Sequence, residues 1–228
     1  MPRIRGHLRE KPSGDHEWPI LNGLLFGDQA IGGHDVAVRT EVLPLQWSKI
    51  FGRKAQLSIE IGFNRGRFLT ALSQARPDDD FVGIEIRRRY CWRLAHMLAK
   101  GGQKPGNLRL IWADAKAVSR VIFGDNVLDN IYVTFPDPWW KKRHAKRRLV
   151  DTKFAVELAS LLKPGGRIWV KTDVHDLGEE IKEALLAVPQ LSKPIPFPAE
   201  ALPLTHRETN CMRDKLPIER FFVERLGD

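Results

Sequence analysis

The chain has 228 residues, with 37 Lys and Arg against 28 Asp and Glu, a formal net charge of +9. That length suits one domain of ordinary size with a short appendage, and 43% hydrophobic residues are enough for a core, which excludes wholesale disorder. No apolar run approaches the ~20 residues of a bilayer span, and the basic stretch Met1–Glu10 has no apolar segment behind it, so neither a membrane protein nor a secretory signal is expected.

Residues 1–40 show no sustained period and carry scattered glycines (Gly23, Gly27, Gly32, Gly33), so they read as an irregular arm ahead of a domain spanning 41–228. A helix is expected through Val42–Phe51, then a first firm strand at Gln56–Ile61. From there the alternation is regular. A glycine-bearing turn leads to a helix that begins near Phe68 and ends before Pro77. Phe81–Glu85 is a second strand, followed by a helix from Arg89 to Lys100 that stops at Gly101-Gly102. Leu108–Trp112 and Leu128–Phe135 are strands apolar enough for burial on both faces. Thr152–Leu162 is a helix closed by Pro164-Gly165-Gly166, Arg167–Thr172 a fifth strand, and Leu177–Val188 a further helix. After a proline-rich connector, the segments 204–212 and 218–226 read as a terminal strand pair. Strands alternating with helices over short connections imply an α/β fold with a mostly parallel, doubly wound sheet.

The first strand runs into Glu60-Ile61-Gly62-Phe63-Asn64-Arg65-Gly66. Glycines at such a turn let a ligand approach the backbone, and the helix N-terminus beyond it favours negative charge. Glu85 closes the second strand, where a carboxylate can take two ribose hydroxyls, and Asp114 follows the third. A lone G-x-x-x-G makes only a tight turn. Two further acids in register after successive strands make a ligand edge the better reading. A nicotinamide site wants G-x-G-x-x-G, and here Asn64 stands at the middle glycine with no third glycine in register. Glu60 before the loop instead suits S-adenosylmethionine, which carries an ammonium and a sulfonium but no pyrophosphate.

The fourth strand ends in Pro136-Asp137-Pro138-Trp139-Trp140, and then Lys or Arg fills six of the eight positions 141–148. Two prolines fix the backbone around Asp137 and aim its carboxylate at the cofactor crevice. The tryptophans offer stacking faces, worth ~1–3 kcal/mol per base in single-strand binders. Basic charge beside aromatics at a ligand edge suits an unpaired base on a phosphate backbone. A basic run alone is a solvated face, and tryptophans alone are core. Neither accounts for all three features at one strand end.

Phe135–Val150 (FPDPWWKKRHAKRRLV) resembles the signature of the bacterial tRNA (guanine-N7-)-methyltransferase family, of the Rossmann-like class I methyltransferases. Glu60–Gly66 resembles its E-I-G-x-G-x-G, Phe81–Ile86 its ribose strand, Val170–Asp173 the end of its fifth strand, and Thr205–Glu208 its T-x-x-E. The likeness covers about residues 57–226 and leaves the arm unsupported. Asn64 and Trp140 depart from the family pattern, and so do residues 209–212. The resemblance implies methyl transfer from S-adenosylmethionine to N7 of a guanine in tRNA, at guanine 46 of the variable loop. It implies cofactor contacts at Glu60, Gly62, Asn64, Gly66, Glu85, Asp114 and Asp137, with Asp137 also catalytic. Lys141, Asp173, Thr205 and Glu208 would touch the substrate base, and Arg143, His144, Lys146, Arg147 and Arg148 the RNA backbone. Either Asp137 or Glu208 would meet the guanine edge. The rival readings are a methyltransferase acting on an exocyclic amine and an inactive RNA-binding subunit of this fold.

Cys91 and Cys211 stand far apart and outside any C-x-x-C, and the seven histidines show no ligand spacing, so no metal is expected. The expected location is the cytoplasm, with tRNA as partner and no membrane. Monomer and homodimer are equally open.

Overall fold

The computed structural model describes residues 20–22, 43–100 and 106–227. Among these, strands β1 (Ile20–Asn22), β2 (Leu57–Ile61), β3 (Asp80–Glu85), β4 (Leu108–Trp112), β5 (Leu128–Thr134), β6 (Leu162–Thr172), β7 (Ile195–Pro196) and β8 (Glu219–Glu224) form one sheet. Their spatial order is β1-β4-β3-β2-β5-β6-β8-β7. Strands β1 to β6 run parallel, and β8 lies antiparallel to both β6 and β7. The chain leaves β2 towards β3 and later returns to β5 on the other side of β2. That reversal opens a crevice beyond the carboxyl ends of β2 and β5, where sheets of this kind hold ligands.

The pleat sorts the core into two halves. On β3, Phe81 faces the helices α2 (Arg67–Ala75) and α3 (Arg88–Lys100) and packs with Phe68, Leu72, Leu94 and Leu98. Val82 and Ile84 turn to the other layer, built from α1 (Trp47–Phe51), α4 (Ala115–Phe123), α5 (Thr152–Leu161) and α6 (His175–Leu186). Both faces being covered, β2 and β3 are buried at every position.

Four expectations change. The segment 204–212 is not a strand but the helix α7 (His206–Arg213), and the terminal strand pair is β7 with β8. A capping box starts α7: the Glu208 N–H donates to Thr205 Oγ1 at 2.9 Å, and the Thr205 N–H donates back to Glu208 Oε2 at 3.3 Å. Helix α4 was not expected, although Asp114 caps it by accepting from the Lys116 N–H at 3.0 Å and Val118, Ile122 and Phe123 are buried. The helix expected from Val42 begins only at Trp47, because Pro44 disfavours helical geometry at the residue before it. Of the arm, Ile20–Asn22 forms an edge strand paired with β4, while the rest of 1–40 lies outside the described residues.

Candidate active site

The loop after β2 makes its turn with three residues of left-handed backbone, Gly62 (φ 79°), Asn64 (φ 50°) and Gly66 (φ 71°). Asparagine tolerates that region better than other side chains, which is how Asn64 stands where a glycine was expected. Gly66 also makes room for packing: a Cβ there would lie 2.2 Å from Leu94 Cδ2, so that side chain would have to shift.

Glu60 is fully buried at the end of β2. Its Oε1 accepts from the Thr134 hydroxyl at 2.8 Å, while Oε2 has no protein partner. Burial pushes its carboxyl up to about 8, with Thr134 opposing and neighbouring Glu85 adding to the rise. A buried carboxylate oxygen without a donor is costly, and a cation would satisfy it.

Glu85 and Asp114 each accept from nearby backbone. The Glu85 carboxylate accepts from the Asn64 N–H at 3.0 Å and the Arg87 N–H at 2.8 Å, so it braces two loops against each other. Burial also raises its carboxyl from the usual range. Asp114 caps α4 through Oδ1.

The Pro136-Asp137-Pro138 segment is held at both ends. Phe135 (φ 49°) and Trp139 (φ 47°) take left-handed backbone, an unfavourable conformation for large side chains that the surroundings must impose. The Phe135 N–H donates to Lys171 O at 2.7 Å, and Arg148 Nε donates to Pro138 O at 3.0 Å. Arg148 also forks onto Glu180 of α6, so its guanidinium is spent on positioning the loop. Asp137 is exposed, its Oδ2 paired with Arg87 Nη2 at 2.5 Å.

Beyond this loop a 3-10 helix spans Lys142–Arg147. Arg143, Lys146 and Arg147 are exposed, and Lys141 stands exposed just before them. Trp139 is braced by His144 edge-on at 5.8 Å and by the Arg147 guanidinium at 5.2 Å from its ring centre. Trp140 is 75% exposed.

The last wall comes from α7. Asp173, at the end of β6, is paired with Arg207 Nε at 3.0 Å. Glu208 points inward, fully buried, with Oε2 2.8 Å from Lys171 Nζ and Oε1 2.9 Å from Arg220 Nε. Burial pulls the Lys171 ammonium below its usual range, and Glu208 opposes that shift.

These elements enclose a cavity of about 680 Å³. Of the expected residues, Glu60, Gly62, Asn64, Gly66, Asp137, Asp173 and Thr205 line it. Glu85, Asp114, Lys141, Glu208 and the cations 143–148 do not. Thr134, Tyr90, Arg65 and Arg207 also line it and were not anticipated. Thr134 had a signal, since it ends the strand whose following loop carries Asp137. Elsewhere, His175, Glu179 and Glu219 bring ligand-type atoms within 4.8 Å of one another, but Lys182 Nζ already bridges Glu179 and Glu219 at 2.7 and 2.8 Å. Among the described residues, no helix is long and apolar enough to cross a membrane.

Solved structures with the same fold include an antibiotic-related methyltransferase, 16% identical with a TM-score of 0.57 over 85% of this chain and 95% of that one. Another is the aminoglycoside resistance methyltransferase NpmB1, 17% identical with a TM-score of 0.55 over 79% of this chain and 92% of that one. At this identity the likeness establishes the Rossmann-like class I fold alone. A family model described as "Putative methyltransferase" matches residues 54–218. A tRNA (guanine-N(7)-)-methyltransferase of Synechococcus sp. (strain JA-3-3Ab) is 35% identical over 80% of this chain and 78% of its own length. One from Synechococcus sp. (strain JA-2-3B'a(2-13)) is 34% identical over 96% of this chain and 94% of its own. With a crevice at the sheet reversal, a rigid acid at its mouth and relatives of this extent, the chain is a methyltransferase and belongs to the tRNA (guanine-N7-)-methyltransferase family.

Proposed function

We propose that the protein transfers a methyl group from S-adenosylmethionine to N7 of a guanine in cytoplasmic tRNA, at guanine 46 of the variable loop. The observation that carries this reading is the pairing of two carboxylates in one cavity: buried Glu60 with an unpartnered oxygen, and Asp137 on a pinned loop. The residues fit the donor. Glu60 Oε2 is a buried carboxyl oxygen without a protein partner, which a cationic ligand would draw into its charged form, and the Gly62–Gly66 turn leaves open space at Gly62 for close approach to the backbone. When bound, S-adenosylmethionine supplies an electrophilic methyl on a positively charged sulfur.

Guanine N7 presents a lone pair and carries no proton, so the protein needs no base to activate it. Its task is to aim the purine and to accommodate the positive charge that the purine acquires. Asp137 is the group for both. Arg87 holds Oδ2, and among the described residues Oδ1 faces no protein donor, which leaves it to accept from the N1–H and amino edge of guanine. Adenine lacks that pair of donors, so the same contact selects the base. Glu208 is already committed, with both oxygens on cations behind the cavity wall. The exposed Trp140 face and the 141–147 cations would stack and hold the displaced nucleotide.

The test is methyl transfer from labelled S-adenosylmethionine to tRNA transcripts, with reduction and aniline cleavage to map 7-methylguanine. Cleavage at guanine 46 supports the reading, a label on an exocyclic amine replaces it, and no transfer removes it. In single-turnover assays Asp137→Asn should slow the reaction by roughly 10²–10³, the range for one preorganised electrostatic contact, with tRNA affinity little changed. A near-wild-type rate would take Asp137 out of the mechanism.

A further inference from the structure

A second groove, of about 480 Å³, opens between α2 and α3 on the outer side of the loop that carries Gly66. Its rim is Arg65, Arg67 and Arg93, its floor includes the buried Leu94 and Leu98, and Met97 stands half-exposed beside it. Among the described residues, no carboxylate lines it. Helices α2 and α3 together carry Arg67, Arg88, Arg89, Arg93 and Lys100 and contain no Asp or Glu. Among the described residues, Arg65, Arg67, Arg88, Arg89 and Arg93 form no ion pair, though Arg65 reaches His206 at 2.9 Å and Arg67 reaches Thr209 Oγ1 at 3.2 Å. The groove is continuous with the reaction cavity, because Arg65, Gly66, Arg67 and His206 line both.

The other basic surface, 141–147, lies towards the opposite helical layer. Its anchor Arg148 binds Glu180 of α6, and Lys116 of α4 donates to Arg148 O at 2.9 Å. Two cationic surfaces that arise from different layers of the fold therefore flank the residues of the reaction cavity, one continuous with it through Arg65 and Arg67 and the other following Trp140 in the chain.

We propose that the α2–α3 groove binds backbone phosphates of the RNA on the flank of the target nucleotide opposite the 141–147 run, so that the substrate is gripped from both sides. The inference rests on the reading that the substrate is tRNA. Guanidinium forks match phosphate oxygens in pairs, and a wall without carboxylates imposes no repulsion on a polyanion. The apolar floor suits ribose faces between successive phosphates. A nucleotide that must leave its stack to enter the cavity needs its neighbours held on both flanks, and one basic run can hold only one of them.

The experiment compares the wild-type chain with Arg93→Glu, Arg93→Lys and Arg147→Ala, measuring tRNA affinity across salt concentrations together with methyl transfer. Arg93 lines only the outer groove, so S-adenosylmethionine affinity should not move. Arg93→Glu should weaken tRNA binding about tenfold and flatten the log K against log salt slope by about one or more, with kcat within about twofold of wild type. Arg93→Lys should restore most of the affinity. Phosphate-ethylation interference should reveal two separate patches, one lost in Arg93→Glu and the other in Arg147→Ala. Unchanged affinity and slope in Arg93→Glu, in a preparation that methylates tRNA, would overturn the groove and leave the reaction standing. Salt-steep tRNA binding without methyl transfer would overturn the reaction, and the Arg93 isotherms would still decide the groove. Retained tRNA binding with loss of an acidic protein partner in Arg93→Glu would overturn the groove as an RNA site.

Discussion

Helix α6 carries Asp176, Glu179, Glu180 and Glu183, and cations come to meet two of them: Lys182 on Glu179 and Arg148 on Glu180. Across the sheet, α2 and α3 carry arginines and a lysine that no carboxylate in the described structure meets. The contrast shows that charge content alone does not mark an interface. In the α6 layer the paired charges tie a loop and a strand to the helix. In the α2–α3 layer they meet aromatic rings and hydroxyls but, among the described residues, no carboxylate. Glu60 is the inverse case in the interior, a carboxyl that forms no ion pair among the described residues and whose Oε2 has no hydrogen-bond partner.

The strongest form of internal pairing is Lys171 with Glu208, both buried. Lys171→Met should destabilise the fold by ~3–5 kcal/mol, since it leaves a buried carboxylate with Arg220 as its remaining cation. Urea unfolding measures this, and a loss under ~1 kcal/mol would mean the pair is not shielded from water.

Glu60 sharpens the opposite side of the comparison. Its folded-state value of about 8 lies above its unfolded value near 4.5, so between those pH values the folded carboxyl holds a proton that the unfolded one has lost. The free protein should therefore lose stability as pH rises through this window, and the loss levels off above about 8. A cationic ligand at Oε2 needs the charged form, so S-adenosylmethionine affinity should strengthen by up to about tenfold per pH unit towards that value and then flatten. Titration calorimetry in buffers of different ionisation enthalpy detects the released proton. Glu60→Gln should remove its share of the slope, and an unaltered slope would detach Glu60 from the cation.

Arg148 and Arg147 adjoin in sequence but fall on opposite sides of the distinction. Arg148→Ala should slow single-turnover transfer several-fold through a loosened Pro136–Pro138 loop, with a small change in tRNA affinity. Arg147→Ala should weaken tRNA binding a few-fold and reduce the salt slope by about one, with the rate at saturation unchanged. If the two variants behave alike, pairing does not separate structural from binding cations here.

The smallest effect concerns Thr205. As the cap of α7 its loss in Thr205→Ala should cost ~1 kcal/mol in thermal or urea unfolding, and Thr205→Ser should restore it. A stability change without a change in tRNA affinity would make Thr205 a cap alone.

The parallel core was legible because β2 to β6 are apolar runs punctuated by glycine and proline, and burial on both faces demands that pattern. Helix α7 was not, because His206–Arg213 buries only Glu208 and Cys211 and so shows no apolar stripe. The same Thr205 and Glu208 that signal a capping box were read as ligands for a base, and side-chain chemistry alone does not separate these uses. At the site, the glycine turn and the rigid Asp137 could be read from spacing. That Glu85 spends its oxygens on two loop N–H groups could not, since those donors come from backbone brought together only by folding. For the same reason the split between Arg148 and its neighbours was invisible: six cations in eight residues look equivalent until Glu180 takes one of them.

Strand β8 runs back along β6, and Arg220 on it holds Glu208, which fixes the start of α7. Residues 205, 206, 207 and 210 of that helix region form one wall of the reaction cavity, yet no residue of β8 lines it. On the ribosome, the parallel strands β2 to β6 emerge long before this wall can be anchored. The glycine turn after β2 and Asp137 thus leave the ribosome before the strand that anchors one side of the crevice. A stop codon at position 217 would spare every residue that lines the cavity and still remove the strand that anchors its last wall.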